Sequence, residues 1–114
     1  MSPPDRDQVY VGHMLELAQK AVQRTVGLSR ADYERNEDLQ MVLTHLIQNL
    51  GESARRVSAE YQHAHPEIPW HSIIGMRHKI VHDYLDVDPD IVWDVATVEL
   101  GRLMPALERL VRDA

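Results

Sequence analysis

Arg77 and His82, separated by four residues, and Tyr84 two positions further on, concentrate polar chemistry in the stretch from Gly75 to Tyr84. Arginine keeps its charge near neutral pH whereas histidine changes protonation state there, so the pair joins a fixed cation to a proton carrier. Phosphodiester cleavage uses both. On an ideal helix five residues place the two side chains about 140° apart and about 7.5 Å along the axis. They can flank a groove but do not share a face. His78 and Lys79 follow the arginine directly and could add affinity for phosphate.

Metal chemistry fits the same residues less well. His78 and His82 have the four-residue spacing of paired zinc ligands, but a zincin helix carries glutamate directly after the first histidine, and Lys79 stands there. Asp86, Asp88 and Asp90 alternate like the opening of a calcium loop. Ile91 occupies the place of the turn glycine and Thr97 that of the closing glutamate, so capping explains them better. Glu60 and His63 supply one Glu-x-x-His pair where a di-iron bundle needs two. No metal and no cofactor is expected.

The elements that must position these groups read as helices. Tyr10, Met14, Leu17, Ala21 and Val22 recur at three- and four-residue steps, predicting a helix from Asp5 to about Leu28, capped by Asp5 or Asp7 and stopped at Gly27. Residues 29–35 read as a polar connection that can hold one helical turn. Asn36 before Glu37 and Asp38 is good capping chemistry, and the stripe from Leu39 to Tyr61 predicts the longest helix, more than five turns. Gly51 inside it costs about 1 kcal/mol relative to alanine, which points to a close packing neighbour.

Pro66 and Pro69 turn the chain back through a loop over 63–70. A third helix is predicted from Trp70 or His71 to Tyr84 or Leu85. Asp88 as cap and Pro89 as first residue open a fourth, with Ile91, Val92, Val95, Val98, Leu103, Leu107, Leu110 and Val111 on its inner face and Pro105 expected to kink or divide it. No strand-like alternation or repeat occurs. The expected architecture is an all-α, antiparallel bundle of four to five helices, one domain over residues 1–114.

Composition narrows the rest. The chain has 114 residues and no cysteine, so disulfides and thiolate metal sites are excluded, which fits a reducing compartment. The first residues show no apolar run after a basic region, and no later stretch is long enough for a bilayer. A soluble, cytoplasmic protein is expected. Eighteen acidic against twelve basic residues give a formal charge of -6, the wrong sign for holding nucleic acid by a general field. Any RNA contact must be local, through Arg77, His78 and Lys79 with Arg55 and Arg56 on the preceding helix. Phenylalanine is absent and only two tryptophans and four tyrosines remain, too few for a base-stacking platform.

Gly75-Met76-Arg77 followed by Val81-His82-Asp83-Tyr84, preceded by Leu50-Gly51-Glu52-Ser53-Ala54 and Pro66-Glu67-Ile68-Pro69-Trp70, and followed by Val92-Trp93, closely resembles the HepT-like branch of the HEPN superfamily. The similarity spans about residues 36 to 110, and Arg-x4-His-x-Tyr is its most specific part. The resemblance implies a HEPN-like bundle, a symmetric homodimer that can assemble further, and the ribonuclease toxin of a toxin–antitoxin pair. The implied partners are RNA and a minimal nucleotidyltransferase (MNT) antitoxin. By position Arg77 and His82 match the ribonuclease residues, and Tyr84 matches the tyrosine that the antitoxin modifies with AMP. Many members carry asparagine where this chain has His78, which loosens any role for that position. The competing reading is a non-catalytic helical dimer that binds, and is modified by, a nucleotidyltransferase.

Overall fold

The computed structural model describes the backbone of residues 3–83 and 86–113 and the side chains of 5–80 and 87–113. Helix α1 spans Pro3–Gln23 and ends before the expected Leu28. Beyond it Thr25 donates from Oγ1 to the Val22 carbonyl at 2.9 Å, and Gly27 takes φ 75°, the left-handed conformation glycine adopts without strain. Asp7 does not cap α1. It lies one turn inside, 3% exposed, and accepts from the Ser58 N–H at 2.8 Å and the Ser58 hydroxyl at 2.7 Å.

The connection that follows is a short helix, α2 (Arg30–Glu34), closed by a capping box between Ser29 and Asp32. The Asp32 carboxyl is held below its usual range, chiefly by the Ser29 backbone N–H and hydroxyl. Tyr33, which the polar reading of this segment overlooked, is 1% exposed. Its hydroxyl donates to the Pro89 carbonyl at 2.7 Å, and its ring lies 4.8 Å from that of Trp93.

Helix α3 covers Glu37–Arg55 with Asn36 as N-cap, and buries Leu39, Leu43, Leu46, Ile47, Leu50 and Ala54. It is neither continuous to Tyr61 nor the longest helix. The apolar stripe runs on through Val57 and Tyr61, but Ser58 leaves helical geometry to cap a separate helix, α4 (Ala59–Ala64). The bonds from Ser58 to Asp7 favour that break, a long-range cause that local periodicity does not carry. The loop is therefore 65–69, shorter than expected.

The third predicted helix is two short ones, α5 (Trp70–Ile74) and α6 (Met76–Ile80), stepping at Gly75. It stops four to five residues early. Backbone 81–83 is a strand, β1 (Val81–Asp83), paired antiparallel with β2 (Asp86–Val87), and the Asp88 N–H donates to the Ile80 carbonyl at 2.6 Å. Val81 is β-branched, which favours extended backbone where a pairing partner is available.

Asp88 caps α7 (Pro89–Asp94) by accepting from the Asp90 and Ile91 N–H groups, as expected. A π-helical turn, Val95–Glu99, then joins α7 to α8 (Leu100–Arg112). Pro105 sits inside α8 at an exposed position without dividing it. The π turn corrects the expected inner face. Straight helical spacing from Val92 would bring Glu99 onto the core; the extra residue in the wide turn delivers Leu100, 1% exposed, and leaves Glu99 outside. Val98 and Val111, expected on the inner face, are exposed.

Helix α1 packs on α3 and α8, and α3 also packs on α5, α6 and α7, so α3 is the central rod. One apolar cluster joins them, from Val11 and Met14 to Leu107 and Leu110. The chain is all-α apart from the β1–β2 pairing, with more helical segments than the four to five expected because two predicted helices are interrupted and α2 is added.

Candidate functional site

Helix α6 is anchored by Met76 and Ile80, one turn apart and both buried. That fixes its rotation, so Arg77, His78 and Lys79 are all exposed. Arg77 and His78 open onto a groove of about 250 Å3 between α3 and the α5–α6 pair, where Gln48, Glu52 and Arg55 come from α3 and His71 from α5. Gly51 forms part of this crease. A Cβ there would stand 3.0 Å from the Ile73 carbonyl, so the backbone of α5 lies directly against α3. The close neighbour expected from Gly51 is thus identified, and it is what brings α5 and α6 to the groove.

The groove carries its own electrostatics. Glu52 accepts from Arg55 Nη2 at 2.8 Å and Nε at 3.1 Å, and from Arg56 Nε at 3.2 Å. Those bonds, Arg55 first and Arg56 second, pull its carboxyl down to about 2. Two guanidinium groups thus answer one carboxylate, and the balance around it is positive. Arg55 borders the same groove as Arg77, while Arg56 turns the other way, its guanidinium 6.0 Å from the Tyr10 ring centroid.

Other residues singled out by sequence are placed differently. Lys79 lines a separate groove with Ser72, Glu99 and Arg102, so it does not join Arg77 and His78. The backbone of His82 lies in β1, outside the helix that was expected to carry it. Its side chain, and Tyr84 entirely, lie outside the described residues. His71 was not foreseen as a site residue. Its signal was the seven-residue step to His78, two helical turns, which keeps both on one side across the Gly75 step. Among the described residues no group of three or more His, Asp or Glu is placed to hold a metal ion.

Comparison with known sequences bears on what this groove is for. Residues 14–113 match the family model described as Ribonuclease HepT-like. The chain belongs to the HepT-like family. A relative in Caldanaerobacter subterraneus subsp. tengcongensis, named as a candidate RNase, is 28% identical over 104 residues, covering 91% of this HepT-like chain and 89% of its own. One from Methanocaldococcus jannaschii, also named as a candidate RNase, is 23% identical over 111 residues, 96% of this chain and 92% of that one. A chain from Thermococcus cleftensis named as a candidate HepT ribonuclease is 27% identical over 79 residues, 69% of this chain and 72% of that one. No solved structure matches. Among the described residues no helix of this HepT-like chain is long and apolar enough to cross a membrane.

Proposed function

We propose that this HepT-like chain is a metal-independent endoribonuclease, the toxin of a HEPN/MNT toxin–antitoxin pair, acting as a homodimer on RNA such as tRNA. We take residues 1–114 as one HEPN-like domain whose helical segments group into a four- to five-rod antiparallel bundle. The observation that carries the reading is the match of residues 14–113 to a ribonuclease family. It is supported by the exposure of Arg77, the arginine of the Arg-x4-His-x-Tyr motif, on a locally positive groove.

The chemistry follows from the groups. The ribose 2′-OH attacks the adjacent phosphorus; as its O–P bond forms, the bond to the 5′ oxygen breaks, leaving a 2′,3′-cyclic phosphate and a 5′-hydroxyl. One His82 takes the 2′ proton and the His82 of a second copy, brought in by a two-fold axis, protonates the departing oxygen. Arg77 stabilises the extra negative charge on the phosphorane-like transition state. His78, beside Arg77, adds phosphate affinity; Lys79, in its separate groove, acts at most on a more distant phosphate.

Tyr84 is the control point in this reading. AMP attached there by a cognate nucleotidyltransferase would bring bulk and negative charge two residues from His82 and repel RNA phosphate. The net charge of -6 favours the second reading, a non-catalytic dimer that binds and is modified by such a partner. Incubating purified protein with total cellular RNA in excess EDTA separates the two. New 5′-hydroxyl and 2′,3′-cyclic phosphate ends are expected; intact RNA, or cleavage abolished by the chelator, would count against the proposal. Incubation with the nucleotidyltransferase encoded beside it and ATP should add one adenylyl mass, and labelling that persists in Tyr84→Phe would remove Tyr84 from the account.

A further inference from the structure

We infer that His71 is a substrate-binding residue of the ribonuclease, contacting with Arg55 an RNA phosphate beside the one held by Arg77; this deepens, and rests on, the ribonuclease reading. The groove brings these groups together from three elements, Arg55 on α3, His71 on α5, and Arg77 with His78 on α6. A chain whose formal net charge is -6 needs such a local cation track to hold a polyanion.

Three of the other histidines are engaged within the chain, and His63, exposed on α4 and also without such a contact, does not line the groove. His65 pairs with Glu67 and stacks 4.3 Å from Tyr61, His45 bonds Asn49 at 3.0 Å, and His13 packs edge-on to Tyr10. Among the described residues no hydrogen bond, ion pair or ring contact occupies the rings of His71 and His78, and both are exposed on the groove. Among the described residues the one carboxylate on that groove, Glu52, is already engaged by Arg55 and Arg56. Donor capacity therefore faces outward with no acceptor among the described residues.

The step at Gly75 keeps His71 close to α6. The Gly75 N–H donates to the His71 carbonyl at 3.0 Å, and a Cβ at Gly75 would stand 3.2 Å from that same oxygen. His71 and His78 therefore face the groove from either side of one tight turn, while Ser72 and Lys79, the next pair seven apart, face the other groove. Repeated phosphate along a single strand is the ligand chemistry that matches a row of cations and donors without an aromatic platform.

The test is steady-state cleavage of total cellular RNA by the parent, His71→Ala and His71→Arg across a salt series. A charge-assisted contact to one phosphate predicts a KM raised roughly 10-fold in His71→Ala with kcat nearly unchanged. In an assay buffer acidic enough to protonate imidazole it also predicts a log–log salt slope of kcat/KM shallower by about 0.7, the value of one phosphate contact on a single strand. His71→Arg should restore both, which a merely structural role would not. Parent-like KM and salt slope in His71→Ala, with cleavage intact, would overturn the inference alone. A parent that does not cleave RNA at all would remove the ribonuclease reading and this inference with it.

Discussion

Replacing Gly51 by alanine tests the contact that sets the groove. In a helix interior alanine is favoured over glycine by about 1 kcal/mol, and at Gly12, where a Cβ would meet nothing within 4 Å, that gain should appear undiminished. At Gly51 the new Cβ would lie 3.0 Å from the Ile73 carbonyl, whereas ordinary contact begins at 3.4 Å. Helices α3 and α5 must part by about 0.4 Å, and the obstacle is backbone, which cannot swing aside as a side chain can. Overpacking of this kind costs about 1–3 kcal/mol, so Gly51→Ala should be destabilised by about 1 kcal/mol net. The two variants should then differ by about 2 kcal/mol, roughly 8 °C in Tm for a domain of this size. Thermal melts at one fixed protein concentration provide the comparison, because association with a second copy would make Tm concentration-dependent. A Gly51→Ala protein as stable as Gly12→Ala would refute the close crossing.

Three further outcomes follow from other contacts. Asp7→Ala should cost about 2 kcal/mol in denaturant melts, because it strands the N–H and hydroxyl of Ser58 in a half-buried position; a loss under about 0.5 kcal/mol would contradict the tie. Glu52 has a folded-state carboxyl pKa lowered from 4.5 to about 2, so its contribution is present above 4.5 and is lost as pH falls through about 2. A carboxylate NMR titration should show that midpoint, returning toward 4.5 in Arg55→Ala/Arg56→Ala; an unmoved midpoint would sink the assignment. Deleting Val98 from the π turn should restore an unbroken α-helix with the inner face in phase and leave the fold intact. Deleting exposed Arg102 instead rotates Leu103, Leu107 and Leu110 by about 100° and should cost about 5 kcal/mol. Equal effects of the two deletions would argue against the turn.

Local chemistry was legible wherever one or two residues decide the backbone. Asn36 and the Asp88-Pro89 pair start helices where their capping groups predict, and Gly27 takes the left-handed turn that ends α1's exit. Gly51 announced a close neighbour, though not that it would be the Ile73 carbonyl. What escaped was set by distant partners or by phase. The break at Ser58 depends on Asp7 across the molecule, and the burial of Tyr33 depends on Pro89 and Trp93. A stripe that fits straight helical spacing down to Val98 hides the π turn, because the pattern resumes only after the added residue. At the site, Arg77 and His78 share a groove as adjacent helical residues can, but Lys79 goes to the other side because Met76 and Ile80 fix the rotation of α6. His71 stayed out of view because it lies beyond Gly75, on a separate short helix.

The central claim is that Arg77 and His82 together cleave RNA, and single-turnover cleavage of total cellular RNA by the parent, Arg77→Ala and His82→Ala tests it most directly. Arg77 is exposed, so its loss should leave the fold unchanged, with circular dichroism serving as the check for both variants. Loss of a transition-state cation predicts a rate lower by about 100-fold in Arg77→Ala, and loss of the proton carrier predicts about 100- to 10,000-fold in His82→Ala. Parent-level cleavage by either folded variant would contradict the claim.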